Sequence, residues 1–306
     1  MKSFFLLIAW LLFFSRPGNT QEVTVTLHSI FNGNASVRYS VCGNGKPVLI
    51  ANGGPGFSSW HMQEFAKNLS KKGFKVILFD QRGTGNSKVP AYDSLNITLD
   101  LVLEDMQKVI EQEAKGKAIV MGHSFGGILA MSFAAKYPAM VEKLVLCSSA
   151  GINLDFLNYF GDNIFQRLQL VSNDTAAIPV TVKEREDAFY AMLKANAPAY
   201  FYDKKNVAEF TDILTIPGSY SPEYNSLMWS DLFRIKYDLT KGFKGFKKPV
   251  LVIQGRQDIL GDETAIRISQ SIPGSKLVFM NRCGHVPWMD APEDFMRELE
   301  MFLNQK

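Results

Sequence analysis

The stretch AIVMGHSFGGILAMSFAAKYP, running from Ala118 to Pro138, decides how this chain folds. It opens as a short apolar run, inserts a serine between glycines, and continues as a segment that can only be helical. Serine has a middling helix propensity and glycine a poor one, so the interruption marks a strand-to-helix turn. The same alternation extends outward from it. The runs PVLIAN (47–52), FKVILFD (74–80), KAIVMG (117–122) and KLVLCSS (143–149) are compact and β-rich, and KPVLVIQG (248–255) and SKLVFM (275–280) come later. Short, almost wholly apolar strands fit a parallel sheet covered on both faces. Helices are predicted over about Ser59–Lys71, over Thr98–Glu113, after Ser124, around 262–271 and from about Pro292. In the second of these, Leu99, Val102, Leu103, Met106, Val109 and Ile110 recur at helical spacing.

Two features frame this alternation. At the start, the alternating stretches Val23–Ile30 and Ser36–Val41 flank the turn-rich Phe31-Asn32-Gly33-Asn34 and read as an antiparallel hairpin. Later, the interval from Gly151 to about Phe246 has no comparable strand pattern but many aromatics, among them Phe156, Tyr159, Phe160, Phe189, Tyr190, Tyr200 and Phe210. A structureless loop of that length is implausible, so a largely helical insertion is expected there. The expected fold is α/β: a mostly parallel sheet with an N-terminal antiparallel hairpin, right-handed crossovers and helices on both faces. The core is expected over 21–150 and 247–306, with a helical cap over 151–246 inserted before the fifth of these strand runs.

Residues 1–20 stand apart. Lys2, an apolar run from Phe4 to Phe14, and Ser15-Arg16-Pro17-Gly18-Asn19-Thr20 make the basic start, short apolar stretch and small-residue exit of a secretory signal. Spanning a bilayer takes about 20 apolar residues, more than this run supplies. The expectation is an exported protein, periplasmic or extracellular, cleaved near Thr20–Gln21 and without a stable membrane span afterwards. Lys2 and Arg16 leave with that segment, which carries no acid, so the net charge of +3 falls by two, to +1. A nearly neutral chain with scattered Lys and Arg has no electrostatic footprint for nucleic acid. Four Asn-X-Ser/Thr sequons, at Asn34, Asn68, Asn96 and Asn173, matter only in a host that glycosylates exported chains. Cys42, Cys147 and Cys283 form no disulfide framework and show no zinc-ligand spacing, although export would permit one bridge. Cys147 reads as a small core residue, and Cys283, two positions before His285, as a packing residue.

The serine turn carries the chemistry. Gly122-His123-Ser124-Phe125-Gly126 fits G-x-S-x-G between a strand and a helix, where a strained turn exposes a nucleophile and small neighbours let strand and helix approach. A serine hydroxyl needs a base, and the base an orienting acid. Asp258, just past the strand run 248–255, and His285, in the loop after 275–280, follow in the order Ser, Asp, His. His28, His61 and His123 follow no late strand. Loops at strand C-termini are where catalytic groups gather in parallel sheets. The catalytic set is therefore Ser124, Asp258 and His285. The developing oxyanion is expected to meet the backbone N–H of Phe125, at a helix N-terminus, and that of Gly54 in the loop Asn52–Gly56. Neither NGGPGFSS nor DQRGTGNS (80–87) has a phosphate-loop pattern, and Asp80 with Arg82 is expected to brace the latter turn. No metal or other cofactor is expected.

NGGPG, DQRGTGNS, GHSFGG, GRQD and CGHVPW resemble, in this order, the motifs of α/β-hydrolases of the prolyl aminopeptidase (proline iminopeptidase) group. The resemblance covers almost the whole chain after the leader and is weakest in the cap. It implies an α/β-hydrolase fold and release of an N-terminal residue, typically proline, from a short peptide through an acyl-enzyme. It also implies cap acids that bind the free amine, and Glu223, in SPEYNSLMW, lies where such a glutamate falls. Glu184, Glu186 and Asp187 are further acids of the cap. Three departures bear on specificity: Asn52 stands where the family usually has histidine, the elbow reads His123-Ser124-Phe125 rather than Gly-Ser-Trp, and Ile259 follows the acid.

The expected function is an exported serine aminopeptidase releasing N-terminal proline or another small residue from short peptides; the alternatives are a carboxylesterase or other acyl hydrolase and, in another class, a silent binding module. An aminopeptidase requires a free amino terminus on its substrate; a carboxylesterase or other acyl hydrolase on a small hydrophobic ester is indifferent to one. Dehalogenases and epoxide hydrolases carry aspartate at the elbow, where this chain has Ser124. A silent binding module would have no need of serine, aspartate and histidine together.

Overall fold

The computed structural model describes residues 23–168 and 181–305; the leader and the Asn173 sequon lie outside them. The chain begins with strands β1 (Val25–Asn32) and β2 (Ala35–Cys42), whose register pairs Asn32 with Ala35. Only Gly33 and Asn34 remain as the turn, and Gly33 takes a φ of +60°. Phe31 and Asn32, read as turn from sequence, are the last residues of β1, because a two-residue turn opening on glycine matches the strand twist. Then follow β3 (Lys46–Ala51), α1 (Gln63–Ser70), β4 (Phe74–Phe79), α2 (Leu99–Ala114), β5 (Ala118–Ser124), α3 (Phe125–Lys136) and β6 (Val141–Ser149). The helix expected from Ser59 starts as a 3₁₀ turn over Ser59–Met62 before α1. Thr98 caps α2 by accepting from the Leu101 N–H at 3.3 Å.

Between β6 and the next strand lie α4 (Leu157–Leu168), α5 (Val182–Tyr200), α6 (Val207–Leu214) and α7 (Pro222–Arg234). β7 (Val250–Gly255), α8 (Gly261–Ser271), β8 (Lys276–Met280), the short α9 (Pro287–Asp290) and α10 (Pro292–Asn304) complete the chain. The eight strands form one sheet in the order β1-β2-β4-β3-β5-β6-β7-β8, antiparallel at β1–β2 and β2–β4 and parallel elsewhere. The mostly parallel α/β sheet with its antiparallel N-terminal pair is the fold expected from the sequence.

Alternation along the central strands feeds two cores. Leu49, Ala51 and Val120 face one with α2, α3 and α8; Val48, Ile50, Ile119 and Met121 face the other with α1 and α10. α3 is apolar all round, and every residue from Phe125 to Ala134 is buried, whereas α4 buries none completely. The inserted helices divide as well. Tyr224, Met228 and Leu232 of α7 join the core of α2 and α3, while Leu193 of α5 and Phe210 and Leu214 of α6 form a separate small cluster with Phe57, Tyr220 and Val286. Tyr224 donates to Gln81 Oε1 at 2.6 Å, and Asp231 accepts from the Leu99 N–H at 2.8 Å.

Buried polar pairs hold the turn after β4, in a different way from that read from sequence. Asp80 and Arg82 each brace it with other partners. Asp80 accepts from the Ser59 N–H and hydroxyl, both at 2.8 Å, and from the Asn86 N–H at 2.9 Å. Arg82 forks onto Asp105 at 2.7 and 2.6 Å. Among the described residues no helix is long and apolar enough to cross a membrane.

Candidate active site

The site sits where β5 meets α3. Ser124 takes φ +54° and ψ −125°, a conformation that a side-chain-bearing residue holds only when its surroundings impose it. Those surroundings are close backbone contacts. A Cβ on Gly122 would strike Gly126 O, one on Gly126 would strike Ala51 O, and one on Gly127 would strike the Ser149 hydroxyl. The Ser124 carbonyl accepts from the Ala150 N–H at 2.9 Å, tying the elbow to the end of β6.

Asp258 and His285 come from the loops after β7 and β8 and are both buried. His285 Nδ1 lies 2.8 Å from Asp258 Oδ1, which also accepts from the Leu260 N–H at 2.9 Å. Burial alone would raise the Asp258 carboxyl. The adjoining His285 ring and its hydrogen bond, with the Leu260 N–H and the nearby Ser148 hydroxyl, outweigh it and hold the group below its usual range. An ionised Asp258 keeps the Nδ1 proton on His285 and leaves Nε2 as the basic atom.

Ser124 and His285 line one cavity of about 340 Å³, and Gly53, Gly54, Pro55 and Phe125 line it with them. Gly53, not singled out from sequence, is the loop residue packed directly on Ser124: a Cβ there would lie 3.0 Å from Ser124 Cβ. Phe125 opens α3, so its N–H is at the positive end of the helix dipole. Asn52 has a bracing role. Its amide donates to the carbonyls of Gly53 (3.1 Å), Phe57 (2.9 Å) and Ser58 (3.3 Å), and its own carbonyl accepts from Gln81 at 3.2 Å.

Two further histidines line the cavity. His123 Nε2 donates to the His285 carbonyl at 2.9 Å, and His61 Nδ1 to the Ser58 carbonyl at 3.1 Å. Burial, reinforced by the adjoining His285 ring, drives His123 well below the usual histidine range, and burial takes His61 to about 4. Both rings are neutral at pH 7.

The remaining wall is apolar. Phe57, Phe156, Phe160, Phe189, Met192, Tyr200, Tyr220, Trp229 and Ile259 face the cavity, and the Phe189 and Tyr220 rings stack at 3.7 Å. Asn196 and Asn225 are polar members, but no aspartate or glutamate lines the cavity among the described residues. Glu223 lies off that lining, in the first turn of α7, with its carboxylate 3.2 Å from Arg185 Nη2. Cys283 and Cys147 are buried free thiols, both pushed up, chiefly by burial. No group of three or more His, Cys, Asp or Glu side chains suited to a metal ion occurs among the described residues. Sequence reasoning missed Gly53, the bracing role of Asn52, and Phe57, Tyr220 and Trp229 of the cavity wall; for Gly53 and Asn52 the available signal was their place in the loop leaving β3.

A serine on a strained elbow and a histidine–carboxylate pair, borne on loops at the C-terminal ends of the strands of this sheet, belong with a family match. Residues 46–292 match the α/β-hydrolase fold family, and the chain belongs to it. It is 23% identical to a proline iminopeptidase of Saccharolobus solfataricus, over 96% of each chain. Among solved structures, the proline iminopeptidase of Mycobacterium smegmatis superposes with a TM-score of 0.67 at 20% identity, covering 92% of this chain and 98% of that one. An esterase from Exiguobacterium antarcticum superposes with a TM-score of 0.68, also at 20% identity, covering 89% and 96%.

Proposed function

We propose that this α/β-hydrolase is a serine acyl hydrolase acting on a small, uncharged, predominantly apolar ester. In this reading Ser124 Oγ attacks the substrate carbonyl while His285 Nε2 takes its proton. Asp258 steadies the resulting imidazolium through Nδ1–H. The N–H groups of Phe125 and Gly54 are assigned to the oxyanion, an interaction whose loss typically costs about 10²–10³ in kcat. The imidazolium then protonates the departing alcohol, leaving an acyl-enzyme on Ser124. Water activated by His285 releases the acid and restores the serine.

One observation carries the choice of substrate. The cavity shared by Ser124 and His285 is walled by aromatic and aliphatic side chains, with no carboxylate among its described lining residues. A free ammonium would enter it without a counter-charge, at a substantial desolvation cost. The reading expected from the sequence, release of an N-terminal proline or another small residue, stands second here and draws support from the Gly53-Gly54-Pro55-Gly56 loop and from the relatives named proline iminopeptidase. The basic, apolar and small-residue composition of residues 1–20 supports placing the enzyme outside the cytoplasm.

The test is turnover of p-nitrophenyl acetate and butyrate, proline p-nitroanilide and its N-blocked form, with Ser124→Ala as control. Ester cleavage abolished in the control is the expected result. Cleavage confined to the free-amine proline substrate would replace it with the aminopeptidase reading. Activity surviving in Ser124→Ala would sink both.

A further inference from the structure

We infer that Asp290 is a positioning residue that couples the cap segment 200–206 to the loop bearing His285; the inference rests on the serine-hydrolase reading above. The Asp290 carboxylate gathers four donors from two separate parts of the chain. Oδ2 accepts from the Gly284 N–H at 2.8 Å and the Tyr202 N–H at 2.7 Å. Oδ1 accepts from the Asp203 N–H at 3.2 Å and the Asn206 amide at 3.1 Å. One donor precedes the base in its own loop, and three belong to the segment after α5.

The two segments touch directly beside this carboxylate. The His285 N–H donates to the Tyr200 carbonyl at 2.6 Å, and Asn206 also donates to the Met289 carbonyl at 3.0 Å. The approach is so close that a Cβ on Gly284 would strike Tyr200 O. The Tyr200 ring meets the His285 ring edge-on, 5.4 Å between centroids. The main chain of His285 is thus held through its N–H by the cap and through its carbonyl by His123. Withdrawing segment 200–206 removes the first restraint, and three of the bonds that dock the segment end on Asp290. An ionised acceptor makes each of these bonds stronger than a neutral one would. The charged or titratable groups whose fields involve Asp290 are Arg167, Lys204, Lys205 and the Cys283 thiol; Asp258 also acts on Arg167 and Cys283.

The experiment reads the rate at which a fluorophosphonate labels Ser124, located by mass spectrometry, as a function of pH, so it requires no knowledge of the natural substrate. Asp290→Asn is nearly isosteric, but only one of its two atoms accepts, and its NH₂ confronts two N–H donors. Asn206→Leu removes cap-side donors without changing charge. The expected result is a labelling rate at least tenfold lower in each folded variant. The acid limb of the profile shifts in both, and the double variant is less impaired than the product of the two singles. A labelling rate and profile unchanged in folded Asp290→Asn, with only the melting temperature lowered, would make the residue merely structural and overturn the inference. So would a shifted limb in Asp290→Asn with none in Asn206→Leu, since that would be the effect of charge alone. Should Asp290→Asn fail to fold, Asn206→Leu decides by the same criterion. Failure of the wild type to label overturns the hydrolase reading and the inference with it, whereas normal wild-type labelling with indifferent variants overturns the inference alone.

Discussion

His123 Nε2 lies 2.9 Å from the main-chain carbonyl of His285, so the residue that precedes the proposed nucleophile also holds the proposed base. Because a carbonyl can only accept, His123 carries its proton on Nε2 and remains neutral. Replacing it with phenylalanine keeps a ring against Trp288 and removes the donor. One lost hydrogen bond of about 1 kcal/mol corresponds to a fall of roughly fivefold in kcat for ester hydrolysis. Steady-state kinetics of His123→Phe should show the loss in kcat, with KM little changed.

The depressed basicity of the buried histidines makes the fold sensitive to acid. His61 titrates at about 4 in the folded chain and near 6.5 when unfolded, so the unfolded state binds more protons between those values. Stability therefore falls as pH drops from about 6.5 towards 4, by on the order of 2 kcal/mol from His61. His123 adds to this in the same direction, its folded value being lowered too. Asp258, also lowered, is stabilising above its unfolded value and adds a loss only below about pH 4. Urea midpoints at pH 7.5 and 4.5 should differ accordingly, and His61→Gln should narrow the gap.

Gly126 is the least replaceable residue of the elbow. A methyl there would strike the Ala51 carbonyl, which belongs to the central strand β3, paired on both sides, and cannot step aside. Overpacking of this kind costs about 1–3 kcal/mol and sometimes more. Gly126→Ala should show that loss in chemical denaturation, together with a large fall in Ser124 reactivity.

Glu223 separates the two substrate readings. It lies outside the cavity lining and faces Arg185 across 3.2 Å. Glu223→Gln should leave kcat/KM for a short ester within about twofold, because exposed ion pairs contribute roughly 0–1 kcal/mol. A tenfold rise in KM confined to free-amine substrates would instead give this carboxylate the amine-binding role.

Arg82 and Asp105 are both nearly inaccessible and meet in a two-point fork. Asp105→Ala leaves a buried guanidinium without its counter-ion and should cost about 3–5 kcal/mol. Replacing both residues with apolar side chains should recover much of that, which a double-mutant cycle of urea midpoints would show.

Much of the sheet is legible in the sequence because each buried strand is a short apolar run bounded by turn residues, and β7 and β8 are recognisable on those grounds alone. Ser124, Asp258 and His285 are legible for a related reason: each stands at or just beyond such a run, where local pattern and chemistry coincide. What escapes is decided by contacts between distant segments. Nothing near Asp290 announces that Tyr202, Asp203 and Asn206 will point their donors at it, some 85 residues earlier in the chain. The four-residue α9 is too short to register a helical period. Glu223 has the composition of a binding residue, but the start of α7 turns it towards Arg185, and that orientation is a property of how α5 and α7 meet.

The contrast between α3 and α4 sets where this molecule can change. The helix behind Ser124 is enclosed over its whole first ten residues, so nearly every substitution there disturbs the packing that holds the strained elbow. α4 contributes Leu157 and Phe160 to the cavity wall yet has no fully enclosed residue. Mutational drift, or a directed library, can therefore reshape what enters the cavity by working on α4, with little penalty in folding. The elbow is conservative by construction, and the lining of the cavity is the part open to evolution.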